Sequence, residues 1–232
     1  MTGWRRLRRW LVRGAVGFFT LSIVLVVVYG FLPPPMTPLM VIRLVEGEGL
    51  RKDWAAYEDI SPQVFKAVIA AEDARFCQHI GFDFAALHDA WRKNQKGRRI
   101  YGGSTISMQT AKNLFLWPGR DYVRKAFEAY FTGLMELFWD KRRIVEVYVN
   151  IVELGHGIYG VEAASQTYFK KSAKDLTARE AALLAAVLPN PRSWSASRPS
   201  GFVARRAGTI MARMRELPAS DDDHCPVGRF ED

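Results

Sequence analysis

The chain has 232 residues, 49% hydrophobic and 25% charged, with 33 Lys and Arg against 24 Asp and Glu for a formal charge of +9. That balance excludes a disordered, collagenous or disulfide-framed chain, and the length leaves room for a membrane anchor plus one domain with its own core. The two cysteines and four scattered histidines form no cluster with metal-ligand spacing.

Arg5, Arg6, Arg8, Arg9 and Arg13 precede a run that carries no charge until Arg43. Its densest part, 14–32, reaches roughly 28 Å as a helix, close to the ~30 Å of a bilayer core. A cleaved signal peptide is the competing reading, but the run ends in Pro33-Pro34-Pro35 without a small-residue cleavage site. The expected layout is a basic cytoplasmic segment (1–13), a transmembrane helix (14–32), a stalk (33–50), one folded domain (51–217) and a polar tail (218–232). The arginines hold the N-terminus in the cytoplasm, so the domain lies outside. They also account for much of the basic excess, and no aromatic-basic reader of nucleic acid accompanies them.

Ser61-Pro62 reads as an N-cap with proline at the first helical position, opening a helix to about Phe76. Gly102-Gly103 breaks the chain, and Ser104 can cap a helix to about Leu116. Asp121 can open a longer helix with Phe127, Phe131, Leu134, Met135 and Phe138 on its apolar face. Lys141-Arg142-Arg143 leads into another. Gly155 to Gly160 lacks the preceding strand of a phosphate loop and reads as a tight connection before a helix at Val161–Phe169. Thr177-Ala178-Arg179-Glu180 is a capping box, Pro189-Asn190-Pro191 stops its helix, and a last amphipathic helix runs from about Phe202 to Leu217. The acidic tail from Pro218 is expected to be mobile. The fold class is mainly α.

Glu72 closes an apolar helical face formed by Phe65, Val68 and Ile69. The periodicity turns its carboxylate toward low dielectric, a position suited to general acid–base work. On the next helix Thr105, Gln109 and Lys112 form a polar stripe beside Met108, Ala111 and Phe115. A solvated face is the bland alternative; Gly102-Gly103 favours an anion, because free backbone amides at a helix start suit one. Arg124 and Glu128 stand one turn apart, which alone describes a surface ion pair. Together with Lys112 and Arg120 they would make a phosphate clamp near a carboxylate. His79, just after a helix end, reads as a capping or hydrogen-bonding residue. The cysteine spacing calls for no disulfide, and two unpaired thiols, Cys77 and Cys225, are expected.

Taken together, the Glu72–Gly81 block, the Gly102–Asn113 block, Arg124 to Glu128, Lys141 to Asn150, Gly155 to Phe169 and Leu176 to Pro191 resemble glycosyltransferase family 51. These are the peptidoglycan polymerases, and the closest resemblance is to the monofunctional biosynthetic transglycosylases. No Ser-x-x-Lys or Lys-Thr-Gly motif of a transpeptidase occurs. One departure is Met108, where many members carry a second glutamine. The resemblance implies a lysozyme-like glycosyltransferase domain with a small membrane-proximal lobe, at 51–217. It implies that lipid II and the lipid-linked glycan strand are joined with inversion into β-1,4-linked strands, releasing undecaprenyl pyrophosphate. Glu72 would be the base, with Glu128 organising the leaving-group site. Lys112, Arg120 and Arg124 would stabilise the departing pyrophosphate. Asp73, Phe76, His79, Ser104, Thr105, Gln109 and Asn113 would shape the sugar sites. No cofactor is required, although a divalent cation at the pyrophosphate is compatible. Partners would be the membrane and proteins of wall synthesis or division, at the periplasmic face of the bacterial inner membrane. A membrane-anchored glycoside hydrolase and a non-catalytic scaffold are the rival readings; the first needs a placed water and no pyrophosphate clamp.

Overall fold

A computed structural model describes residues 2–97, 103–119, 121–217 and 225 of the chain. The expectations placed on Arg120 and Gly102 lie outside the described residues, as does most of the tail. Among the described residues the architecture is mainly α, as the helical periodicities predict.

Helix α1 (Thr2–Phe31) contains an uninterrupted apolar stretch long enough to cross a membrane. Its last turns do not stand free. The hydroxyls of Ser22 and Tyr130 are 2.7 Å apart, and Trp139 Nε1 donates to the Val26 carbonyl at 2.7 Å. Arg143 donates to the carbonyls of Tyr29 and Leu32, both at 2.8 Å. A cation on the unpaired last carbonyls of a helix satisfies both the orphan acceptors and the negative end of the dipole.

Part of the expected stalk is helical: Thr37 caps α2 (Pro38–Val45), with proline at its start and Met40 fully buried. Helix α3 (Pro62–Glu72) begins at the Ser61 cap, as its sequence predicts, but ends at Glu72 and not at Phe76. Asp73 leaves helical geometry, and a 3-10 turn covers Phe76–Gln78. Helix α4 (Phe84–Lys96), capped by Asp83, follows. Helix α5 (Ile106–Phe115) is capped by Thr105, not Ser104, because the Thr105 hydroxyl is the one placed to accept the Met108 amide. Asp121 and Asp140 cap α6 (Tyr122–Phe138) and α7 (Lys141–Ile151).

The glycine-rich connection is a hairpin of β2 (Glu153–Gly155) and β3 (Ile158–Tyr159). Strand β1 (Arg51–Lys52) pairs with β3 in parallel, giving the order β1-β3-β2. Then come α8 (Val161–Phe169), α9 (Ala178–Val187) and α10 (Gly201–Glu216). The capping box of α9 forms as read. Residues 181–187 of α9 are all buried, as a helix apolar on every side must be. It packs between α3 and α10, while α5 packs against α6 and α7.

The cysteines are paired: Cys77 in the turn bonds to Cys225, with Cα atoms 5.9 Å apart. This corrects the expectation of free thiols, and Cys225, being buried, does not share the mobility expected of the tail. The pairing depends on the chain returning across a separation of 148 residues, which local spacing does not encode.

Candidate active site

Below the cleft lies a rigid turn. Asp73, just past α3, accepts His79 Nε2 at 3.0 Å and the Ile106 amide at 3.0 Å, tying the turn to the start of α5. Thr105 donates to the Gly81 carbonyl at 2.6 Å. Gly81 has φ +77°, and a Cβ there would come within 2.8 Å of Thr132 and 3.0 Å of Glu136, so only glycine closes the turn. Phe76 is 0% exposed, with Lys141 Nζ 4.7 Å above its ring. Lys141 in turn pairs with Glu136 at 2.7 Å, and Glu136 accepts from Ser107 at 2.5 Å. Phe76 is enclosed and supports the turn from within, whereas Thr105 ties the turn to α5 and also contributes to the cleft wall. Asp73 spends its oxygens on this scaffold while also reaching the cleft wall, and His79 commits only Nε2 to it, its Nδ1 being buried without a partner.

Above the turn, Glu72, Asp73, Arg75, Gly103, Ser104 and Thr105 contribute to the walls of a cavity of about 180 Å³. Glu72 Oε2 accepts Gln109 Nε2 at 2.9 Å, and Gln109 Oε1 accepts the Tyr148 hydroxyl at 3.2 Å. Burial, reinforced by the charge of Glu72, holds the Tyr148 proton well beyond the usual phenol range. Arg206 of α10 brings Nη2 within 3.8 Å of Glu72 Oε1. Beside it a hollow of about 370 Å³ is lined by Ala71, Arg205, Arg206, Thr209 and Arg213. The sequence reading missed both Tyr148 and these arginines. The readable signal was Arg205, Thr209 and Arg213 at helical spacings of four, a basic stripe on α10.

Lys112, one turn beyond Gln109, stands between the two acidic residues. Burial lowers its pKa; the charges of Glu128 and Glu72 oppose that, while Arg124 and Lys125 add to it. Glu128 is only 3% exposed, with Arg124 at 2.8 Å and Lys125 at 2.5 Å on its two oxygens. The Arg124–Glu128 pair is thus buried and not the surface pair that spacing alone would suggest. Lys112 and Asn113 line a hollow of about 180 Å³ with Leu39 and Trp117; Arg124 opens onto a shallower one. Met108 is buried, so the departure there takes nothing polar from the cleft.

Glu72 and the cations Lys112 and Arg124 therefore line separate hollows, with Lys112 feeling the charge of both Glu72 and Glu128; a carboxylate and cations so disposed suit moving a proton and receiving a departing anion. Both oxygens of Glu128 are engaged, and among Asp73, His79 and Asp83, whose ligand atoms lie within 4.8 Å, Asp83 is held by Arg75 at 2.9 Å and Asp73 by His79.

A family model described as Transglycosylase matches residues 40–215. The chain is 54% identical over 217 residues to a Biosynthetic peptidoglycan transglycosylase of Bdellovibrio bacteriovorus, covering 91% of this chain and 87% of that one. It is 57% identical over 188 residues to a protein of the same description from Caulobacter vibrioides, covering 81% and 82%. A third, from Rhodospirillum centenum, is 51% identical over 210 residues, covering 90% and 91%.

Proposed function

The chain belongs to the transglycosylase family and is a glycosyltransferase of peptidoglycan synthesis; from that premise we propose how its side chains join the sugars. The donor is the growing glycan strand on undecaprenyl pyrophosphate, and the acceptor is the 4-hydroxyl of lipid II. Glu72 takes the hydroxyl proton as the oxygen bonds to the donor's anomeric carbon from the face opposite the leaving group. The bond from that carbon to the pyrophosphate breaks, and its electron pair leaves with undecaprenyl pyrophosphate. The linkage inverts from α to β-1,4.

Charge grows on the leaving oxygens, and Lys112, Arg120 and Arg124 meet it there, with Glu128 holding Arg124 and Lys125 in place. Ser104 and Asn113 touch the sugars. The arginine hollow beside Glu72 suits the acceptor's own pyrophosphate, which carries the next leaving group. The observation that carries this reading is Lys112, which lines the hollow beside Arg124's helix one turn beyond Gln109, the partner of Glu72, and feels the charge of both Glu72 and Glu128. The reaction as proposed uses side chains alone and no metal.

The apolar helix α1 anchors the enzyme beside its lipid-linked substrates, which raises their effective concentration. We place the N-terminus in the cytoplasm and the catalytic domain on the periplasmic face of the inner membrane, from the arginine cluster before the span.

Full-length enzyme in detergent, given lipid II, should build long strands and release undecaprenyl pyrophosphate. Glu72→Gln should cut the rate by about 10²–10⁴ while thermal unfolding stays unchanged. Shortening of preformed peptidoglycan would favour a hydrolase instead, and normal polymerisation by Glu72→Gln would remove Glu72 as the base.

A further inference from the structure

Glu72 has two oxygens in unlike surroundings. Oε2 accepts from the Gln109 amide at 2.9 Å, whereas Oε1 has Arg206 at 3.8 Å, beyond hydrogen-bond length. An amide can present either its NH₂ or its carbonyl, and the two ends differ in sign toward a carboxylate. Gln109 lies on α5 with one end on Glu72 and the other on Tyr148 of α7. Tyr148 is fully buried on a helix packed against α5, so its hydroxyl is held by the core and not by solvent. Ionised Glu72 can only accept, and a protonated phenol can donate. One orientation of Gln109 satisfies both neighbours: carbonyl toward Tyr148, NH₂ toward Glu72. The reverse would set the amide carbonyl against a carboxylate.

We propose that Tyr148 is a positioning residue for sugar transfer: by donating to Gln109 it fixes the amide, so that Gln109 holds Glu72 Oε2 and leaves Oε1 to take the acceptor proton. This rests on Glu72 being the base. It moves Gln109 from a sugar contact to a holder of the base, and it gives Tyr148, which lies beneath the cleft, an influence on turnover without contact to substrate. A carboxylate fixed at one oxygen presents the other along a defined direction, and misplacing a reacting group by about an ångström is enough to cost a large part of the rate.

The test is a double-mutant cycle on the full-length enzyme in detergent, with fluorescently labelled lipid II as substrate. Tyr148→Phe keeps the buried ring and removes only the hydroxyl, which frees the amide to turn. We expect kcat to fall about tenfold with KM for lipid II within about twofold, the pattern of an interaction used in the transition state. Gln109→Met should cost at least as much. In the double variant Tyr148→Phe should add nothing, because its effect passes through the missing amide. Wild-type kcat in Tyr148→Phe would overturn the proposal. So would independent, multiplying losses in the double variant, which would mark a packing effect. Glu72→Gln separates the two levels: an active Glu72→Gln sinks the base assignment itself, while an inactive one beside an unimpaired Tyr148→Phe sinks only the role of Tyr148.

Discussion

Lys112 illustrates how the site trades solvation for reach. Burial weakens its hold on a proton, and the two neighbouring carboxylates only partly restore it. In the proposed reaction the cation meets leaving-group charge, so activity should decline as pH rises through this lowered pKa. Lys112→Arg, whose charge persists far into the alkaline range, should move that limb upward in pH even if its maximal rate is reduced; a pH–rate profile of both enzymes checks this. Lys112→Met should lower kcat by about 10²–10³ at neutral pH, the usual effect of removing a donor to developing charge. Glu72 was readable from the sequence because Phe65, Val68 and Ile69 mark its helix face within one local pattern. Arg206 and Tyr148 were not readable as neighbours of Glu72, because nothing local states that α7 and α10 close over the end of α3. Phe76 shows the opposite difficulty: a motif residue enclosed beneath a site looks, in sequence, like one on its surface.

Among the elements, α6 has two duties. One side carries Arg124 and Glu128, and another meets α1, where Phe127 and Tyr130 pack against Phe18 at 5.5 and 5.9 Å between ring centroids. The union is completed by Trp139 on the carbonyl of Val26 and Arg143 on those of Tyr29 and Leu32. Trp139→Phe with Arg143→Met removes these donors, each worth about 1 kcal/mol or somewhat more where the donor is charged. The pair should lower the unfolding temperature of the detergent-solubilised enzyme by roughly 4–8 °C, measured by intrinsic fluorescence. Helices with a strong start signal, such as the proline after Ser61 or the Thr177 box, were legible to within a residue. The end of α3 was not, because Asp73 gives up helical geometry for bonds to His79 and Ile106, partners contributed by tertiary structure. Helix α2 hid within a proline-rich stretch that also contains its cap.

For the molecule as a whole, the Cys77–Cys225 bond fastens the far end of the chain to the turn beneath Glu72. Closing a separation of 148 residues contributes up to roughly 5 kcal/mol in the chain-entropy account. Cys225→Ser should lower the unfolding temperature by up to about 10–20 °C, and a reductant should bring the wild type down to the same value without affecting the variant. An unchanged midpoint in both experiments would show the bond to be dispensable. The seam between α1 and α6 has a different consequence. Because it begins near Phe18, well before the end of the anchor, the anchor is a strut and not a leash. It fixes α6, and with it Arg124 and Glu128, at one position along α1. An unrelated span of equal length should still hold the enzyme in vesicles, yet leave it turning over lipid II more slowly than its native counterpart.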